Sequence, residues 1–243
     1  MILDSVLNLE DNIVYHNYEE LKEELQSIHK RWPKLTKIYS LSEKTAENRE
    51  LFVIQISEHV NRKRREKLKP MVKLIGNIHG NEVAGREILL FLARYLLVKY
   101  TEGVENVKQL INEVDIHILP SMNPDGFEKS TRKKCEGKCN KRNACFLEGR
   151  FNGNGKDLNR DFPTFQEVSK IKSHQHLYDG RQNETKAVMR WIEENSFVLS
   201  MGFHSGAVVV SYPFDSPTGK LVLISNSYFT INKKTSKNMQ TYY

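Results

Sequence analysis

The chain has 243 residues and a formal net charge of +7, with 39% hydrophobic and 28% charged residues. That length is within reach of a single α/β domain with a sizeable core. Its longest apolar stretches are broken by Arg86, Glu87, Arg94 and Lys99, which excludes a membrane-spanning helix.

Taken in order, Met1–Tyr15 carries Asp4, Glu10 and Asp11 and lacks both a basic start and a continuous apolar segment. No secretory signal is therefore visible, so either the protein is cytosolic or its true beginning lies elsewhere. Asn17-Tyr-Glu-Glu20 reads as a capping box opening an amphipathic helix to about Arg31, and Trp32-Pro33 ends it. Leu35–Leu41 and Glu50–Ser57 read as strands joined by the polar turn Ser42–Arg49. The basic runs 61–69 and 129–134 supply much of the net charge. No nucleic-acid motif or interleaved aromatic residue accompanies them, so solvated loop charge is favoured and no nucleic-acid partner is expected.

Met71–Ile78 is nearly all apolar and reads as a strand covered on both faces. After the turn Gly76–Glu82, a long helix is expected over Val83–Tyr100, with Ile88, Leu89, Leu92 and Leu96 on its core face. Gly76, Gly80 and Gly85 crowd that turn and suggest close backbone approaches. A second helix over Val104–Asn112 leads into the strand Val114–Pro120, where His117 reads as structural. Residues 121–182 read as a long loop region, of a length that is usually functional or disordered. It holds the tight-turn sequence Asn123-Pro-Asp-Gly-Phe127, the stretch from Gly149-Arg150 to Pro163, and all three cysteines. Cys135, Cys139 and Cys145 read as a loop staple or as free thiols. Asn183 is expected to cap the helix Glu184–Asn195 and also begins the sequon Asn183-Glu-Thr185. Phe197–Phe203 and Ala207–Tyr212 are the last expected strands, and there is no internal repeat.

This order argues an α/β fold: a mixed, mostly parallel twisted sheet with helices on both faces. In such sheets ligands sit beyond the carboxyl ends of the strands. His79 and His204 each follow a strand, so both belong at that edge. His79 and Glu82, three apart after a strand, can turn toward one point, and their nitrogen and carboxylate suit zinc. A catalytic zinc needs a third protein ligand, for which His204 is the candidate.

His79-Gly-Asn-Glu82, Asn123-Pro-Asp-Gly126, Gly149-Arg150, Asp157-Leu-Asn-Arg160 and His204-Ser-Gly206 with Tyr212-Pro-Phe-Asp215 occur in this order. With these motifs the sequence resembles the zinc metallocarboxypeptidases of the subgroup of carboxypeptidases D, E, M and N, over roughly Tyr15–Pro217. The resemblance implies one zinc ion held by His79, Glu82 and His204, a ligand type already known for a carboxypeptidase. It implies that Asp157 orients the His79 imidazole, and that Asn159 and Arg160 clamp the substrate's terminal carboxylate. It implies that Arg150 polarises the scissile carbonyl and steadies the oxyanion. Tyr212 belongs to the substrate-binding stretch. Asp215 matches the position that faces a basic C-terminal side chain, so the expected substrates are peptides or proteins ending in Lys or Arg. The resemblance also implies a secretory or extracellular, monomeric protein.

The family places its general-base glutamate well after the third zinc ligand, whereas Thr218–Tyr243 contains no acidic residue and shows no family motif. The expected organisation is thus an incomplete catalytic domain over 1–217, lacking its last strands and closing helix, and a non-matching tail over 218–243. Two readings follow: a metallocarboxypeptidase with impaired turnover in this chain, or a non-catalytic zinc- and peptide-binding protein.

Overall fold

The computed structural model describes residues 15–58, 60, 69–132, 148–170, 173–206 and 209–210. The cysteines, the basic run 61–68, Tyr212, Asp215 and the tail 218–243 lie outside the described residues, as does most of the expected strand Ala207–Tyr212.

The first helix, α1 (Tyr18–Arg31), opens on the expected capping box. The Glu20 N–H donates to Asn17 Oδ1 (3.0 Å), and the Asn17 N–H donates back to Glu20 Oε2 (2.7 Å). Strands β1 (Thr36–Ser40) and β2 (Phe52–Ile56) form an antiparallel pair. Strand β3 (Met71–Gly76) runs to the turn that precedes α2 (Ala84–Thr101). Helix α3 (Glu105–Glu113) leads into β4 (Asp115–Leu119). The chain returns through α4 (Pro124–Arg132), a short α5 (Phe165–Val168) and α6 (Asn183–Glu194) to β5 (Phe197–Phe203).

The five strands form one mixed sheet in the order β1-β2-β4-β3-β5. The pairings β4–β3 and β3–β5 are parallel, whereas β1–β2 and β2–β4 are antiparallel. Parallel character is therefore confined to the half of the sheet that carries the metal motifs. Alternation along the strands divides the core in two. Ile54, Ile56, Ile116 and Ile118 pack with α1, α2 and α3 on one face. Val53, Leu119 and Met71 pack with Ala187, Val188 and Trp191 of α6 on the other. His117 sits on the α6 face, 2.7 Å from the Tyr39 hydroxyl and edge-on to Trp191 and Phe197, which fits a structural histidine.

Four expectations are corrected. Residues 124–132 form a helix, because Pro124 suits a first helical position and Asn123 caps it: the Gly126 N–H donates to Asn123 Oδ1 at 2.9 Å. The region 121–182 therefore carries helical pieces, and Lys129–Arg132 belongs to a helix end instead of a basic loop. Ile88 is 53% exposed and so leaves the expected core face of α2, whereas Leu89 and Leu96 are buried as expected, together with Leu90, Ala93 and Leu97. Asn183 is the first helical residue of α6 and Gln182 occupies the cap position. The Asn183 amide donates to the Lys44 carbonyl (3.0 Å), and Thr185 of the sequon is buried.

Candidate metal centre

Strands β3 and β5 are parallel neighbours, and their last residues, Gly76 and Phe203, are register partners. The turn after β3 and the residue after β5 therefore leave the sheet side by side, which brings His79 and His204 together across a separation of more than a hundred residues. Both imidazoles aim Nδ1 at the Glu82 carboxylate. His79 Nδ1 lies 2.8 Å from Oε1 and His204 Nδ1 lies 2.9 Å from Oε2. The three ligand atoms fall within 4.8 Å of one another. The Ser205 N–H donates to Glu82 Oε2 as well (3.1 Å). His79 is buried, at 2% exposure, and His204 is exposed on the open side of the cluster.

Two nitrogens and one carboxylate converging from a strand edge make a donor set that suits zinc, with one side left open. The second nitrogen of His79 is also engaged: Nε2 is 3.1 Å from Asp157 Oδ1. Asp157 caps the 3-10 turn Leu158–Arg160 by accepting the Asn159 N–H at 2.9 Å. One carboxylate thus couples the buried imidazole to the turn bearing Asn159 and Arg160, both of which are exposed. Arg150 reaches between the two acids, with its guanidinium nitrogens 3.3 Å from Glu82 Oε1 and 3.4 Å from Asp157 Oδ2.

The charges shape both carboxyls. Burial is the largest influence on Glu82 and disfavours its ionised form; the Ser205 N–H, His79 and His204 together outweigh it and hold the carboxyl below its usual range. Asp157 follows the same pattern, with His79, the Asn159 N–H and Arg150 outweighing burial. Both acids are therefore ionised at neutral pH, as a metal ligand and its neighbour require.

Three loops cross directly behind the cluster. A Cβ on Gly80 would lie 2.2 Å from the Gly126 carbonyl carbon, 2.3 Å from the Phe127 nitrogen and 2.4 Å from the Gly149 carbonyl oxygen. Glycine at this point lets the His79 turn, the start of α4 and the Gly149-Arg150 segment meet at backbone distance. Asn123 Nδ2 spans the same crossing, donating to the carbonyls of Ile78 and Arg150 (3.2 Å each).

Comparison with known proteins shows the family of the chain. The family profile described as zinc carboxypeptidase matches residues 21–243. The chain belongs to the zinc carboxypeptidase family. It is 41% identical over 202 residues to carboxypeptidase D of Drosophila melanogaster, covering 83% of this chain and 14% of that protein. It is 42% identical over 218 residues to carboxypeptidase E of Caenorhabditis elegans (83% and 43%). It is 38% identical over 212 residues to the carboxypeptidase N catalytic chain of Rattus norvegicus (83% and 44%). The chain thus spans less than half the length of these relatives. The fold also resembles bovine thrombin-activatable fibrinolysis inhibitor (TM-score 0.57, 21% identity, 80% of this chain and 62% of that one). A similar likeness holds to carboxypeptidase A from Helicoverpa armigera (TM-score 0.56, 24% identity, 85% and 52%).

Within this zinc carboxypeptidase chain, the geometry brings His79, Glu82, His204, Asp157 and Arg150 into one cluster and sets Asn159 and Arg160 on the adjoining turn. Tyr212 and Asp215 fall outside the described residues. Sequence reasoning assigned no role to Asn77, Asn123 or Ser121, which hold the metal turn from behind. Polar residues bracketing the ends of two apolar strands were the available signal. No described helix is long and apolar enough to cross a membrane.

Proposed function

We propose that this chain carries the metal-binding core of a zinc-dependent metallocarboxypeptidase that removes C-terminal Lys or Arg from peptides or proteins. The observation that carries the reading is the convergence of His79, Glu82 and His204, with one ligand atom of each within 4.8 Å of the others, at the ends of two neighbouring parallel strands. One zinc ion held there would act as a Lewis acid on the scissile carbonyl and acidify an attacking water.

The protein's own groups do the rest. Asp157 keeps the His79 ring in one orientation through its contact with Nε2, which would leave Nδ1 available to hold the ion. Arg150 turns its guanidinium from the two acids toward the carbonyl oxygen as negative charge develops there. Asn159 and Arg160 receive the terminal carboxylate, for which a planar guanidinium provides a bidentate match. On the resemblance, Tyr212 is assigned to substrate binding. Asp215 pairs with the basic side chain and confers the preference for Lys and Arg. On the same resemblance, we assign the protein to the secretory pathway or the cell exterior, as a monomer.

One observation favours a second reading for the chain as it stands. Among the described residues, both carboxylates at the site are committed, Glu82 to two imidazoles and a backbone N–H, and Asp157 to His79, Asn159 and Arg150. Neither is free to take a proton from water. If no other carboxylate of the protein serves as general base, turnover is lower by roughly 10²–10⁴-fold and the chain acts as a zinc- and peptide-binding protein. Release of arginine from a peptide ending in Arg, against one ending in Phe, tests the proposal. Faster release from the Arg peptide is expected. Equal rates refute the role of Asp215, and binding of both peptides without release by the zinc-loaded chain establishes the second reading.

A further inference from the structure

We infer that Asn77 is the positioning residue of the metal turn, its side-chain amide setting the separation of His79 and Glu82 while Arg86 and Ser121 set the amide. The inference rests on the zinc reading above and assigns the part of the fold that shapes the site. Asn77 follows β3 directly and has φ +57, a left-handed conformation that side-chain-bearing residues seldom adopt. Its side chain is fully buried, at 0% exposure. Asn77 Nδ2 donates to the carbonyl oxygens of His79 (2.8 Å), Gly80 (2.9 Å) and Glu82 (3.2 Å). Three carbonyls of one turn therefore converge on a single nitrogen, and the backbones of two metal ligands are held at one spacing.

The orientation of that amide is itself determined. Asn77 Oδ1 accepts a hydrogen bond from the Ser121 hydroxyl (2.8 Å), and Ser121 Oγ accepts one from Arg86 Nη1 (3.3 Å). Arg86 is buried, lies over the Phe127 ring at 3.8 Å, and donates through Nη2 to the carbonyls of His16 (2.8 Å) and Asn17 (2.9 Å). With a hydroxyl donor on one side and three carbonyls on the other, the reverse orientation of the amide would set like against like. The Asn77 carbonyl also accepts the Asn123 N–H at 3.0 Å, which ties the turn to the start of α4. Glycine at position 77 would adopt this φ without strain. What asparagine adds there is the nitrogen that the three carbonyls require.

Zinc and cobalt binding to the full chain separates this role from a merely structural one. Asn77→Gly keeps the backbone conformation and removes the amide; Ser121→Ala keeps Asn77 and removes the group that orients it. Metal affinity is read by competition with a chromophoric chelator, the cobalt-loaded absorption spectrum reports ligand geometry, and circular dichroism confirms the fold. The expected result for folded Asn77→Gly is a zinc affinity lower by roughly 10–100-fold and an altered cobalt spectrum, the loss usual for groups that orient metal ligands. Ser121→Ala is expected to show a smaller loss of the same kind. If folded Asn77→Gly binds zinc as the parent does with an unchanged cobalt spectrum, the positioning role is overturned. His79→Ala then shows whether the site itself stands, since it must lose zinc if His79 is a ligand. Should Asn77→Gly fail to fold, Ser121→Ala decides, and parental affinity with a parental spectrum there overturns the inference.

Discussion

Lys73 lies in the middle of β3, level with His117 of β4 and Ser200 of β5, on the face covered by α6. It is only 5% exposed, its ammonium donates to Ser200 Oγ at 2.8 Å, and it lies 5.7 Å from the Phe197 ring centroid. Burial pushes its pKa from 10.5 down to about 8. At pH 7 the side chain is still charged in the folded chain, and a fall of that size corresponds to roughly 3 kcal/mol of lost stability. The sign follows from proton counting. Between pH 8 and 10.5 the unfolded chain holds a proton that the folded chain has released, so this group's cost shrinks as pH rises and is gone above 10.5. Lys73→Met keeps an unbranched stem and removes the charge, while leaving Ser200 short of one partner at a cost of about 1 kcal/mol. The expected net effect is a gain of about 2 kcal/mol at pH 7 that falls with pH and turns into a small loss near pH 10.5. Denaturant unfolding of both proteins at several pH values between 7 and 10.5 measures it. A variant less stable than the parent at pH 7, or a difference independent of pH, refutes the reasoning.

Two further outcomes are expected. Asp157→Asn preserves the cap on the 3-10 turn but removes the charge beside His79, so zinc affinity should fall by roughly 10–100-fold with little change in melting temperature; chelator competition and thermal unfolding measure the two quantities. The His16 pKa is raised above 6.5, chiefly by its 2.7 Å bond to Glu87, against the opposing effect of burial. Its contribution is fully present below pH 6.5 and is lost as pH rises through the folded value, so Glu87→Gln should destabilise the chain more at pH 5.5 than at pH 8.5. The His16 ring resonances in an NMR titration should shift to a lower midpoint in that variant.

The elements most legible in the sequence were those whose apolar spacing agrees with their local signals. The Asn17–Glu20 box, the dense apolar run of β3 and the short strands around Ile54 and Ile118 appear where periodicity sets them. The convergence of His79, Glu82 and His204 was legible because the first two lie on one turn and the third follows another strand. What escaped depends on tertiary contacts. Asn-Pro-Asp-Gly is both a turn sequence and a helix start, and only the placement of Asn123 against Ile78 and Arg150 selects the helix. Ile88 belongs to the periodic stripe of α2 by spacing, yet the helix packs through Leu89, Leu90 and Ala93, so Ile88 faces solvent. Lys73 hides inside an apolar strand because its neighbours across the sheet provide Ser200 and the Phe197 ring. Asn77 gives no signal by composition, since its left-handed backbone and three carbonyl partners exist only once the turn has formed.

The central claim is that His79, Glu82 and His204 together hold one zinc ion. Metal content by atomic absorption, on the purified chain and on its His204→Ala variant after dialysis against trace zinc, tests it most directly. About one zinc per chain in the parent and its loss in the variant is the predicted result, in keeping with a three-ligand site. An empty parent, or a variant that retains its zinc, would contradict it.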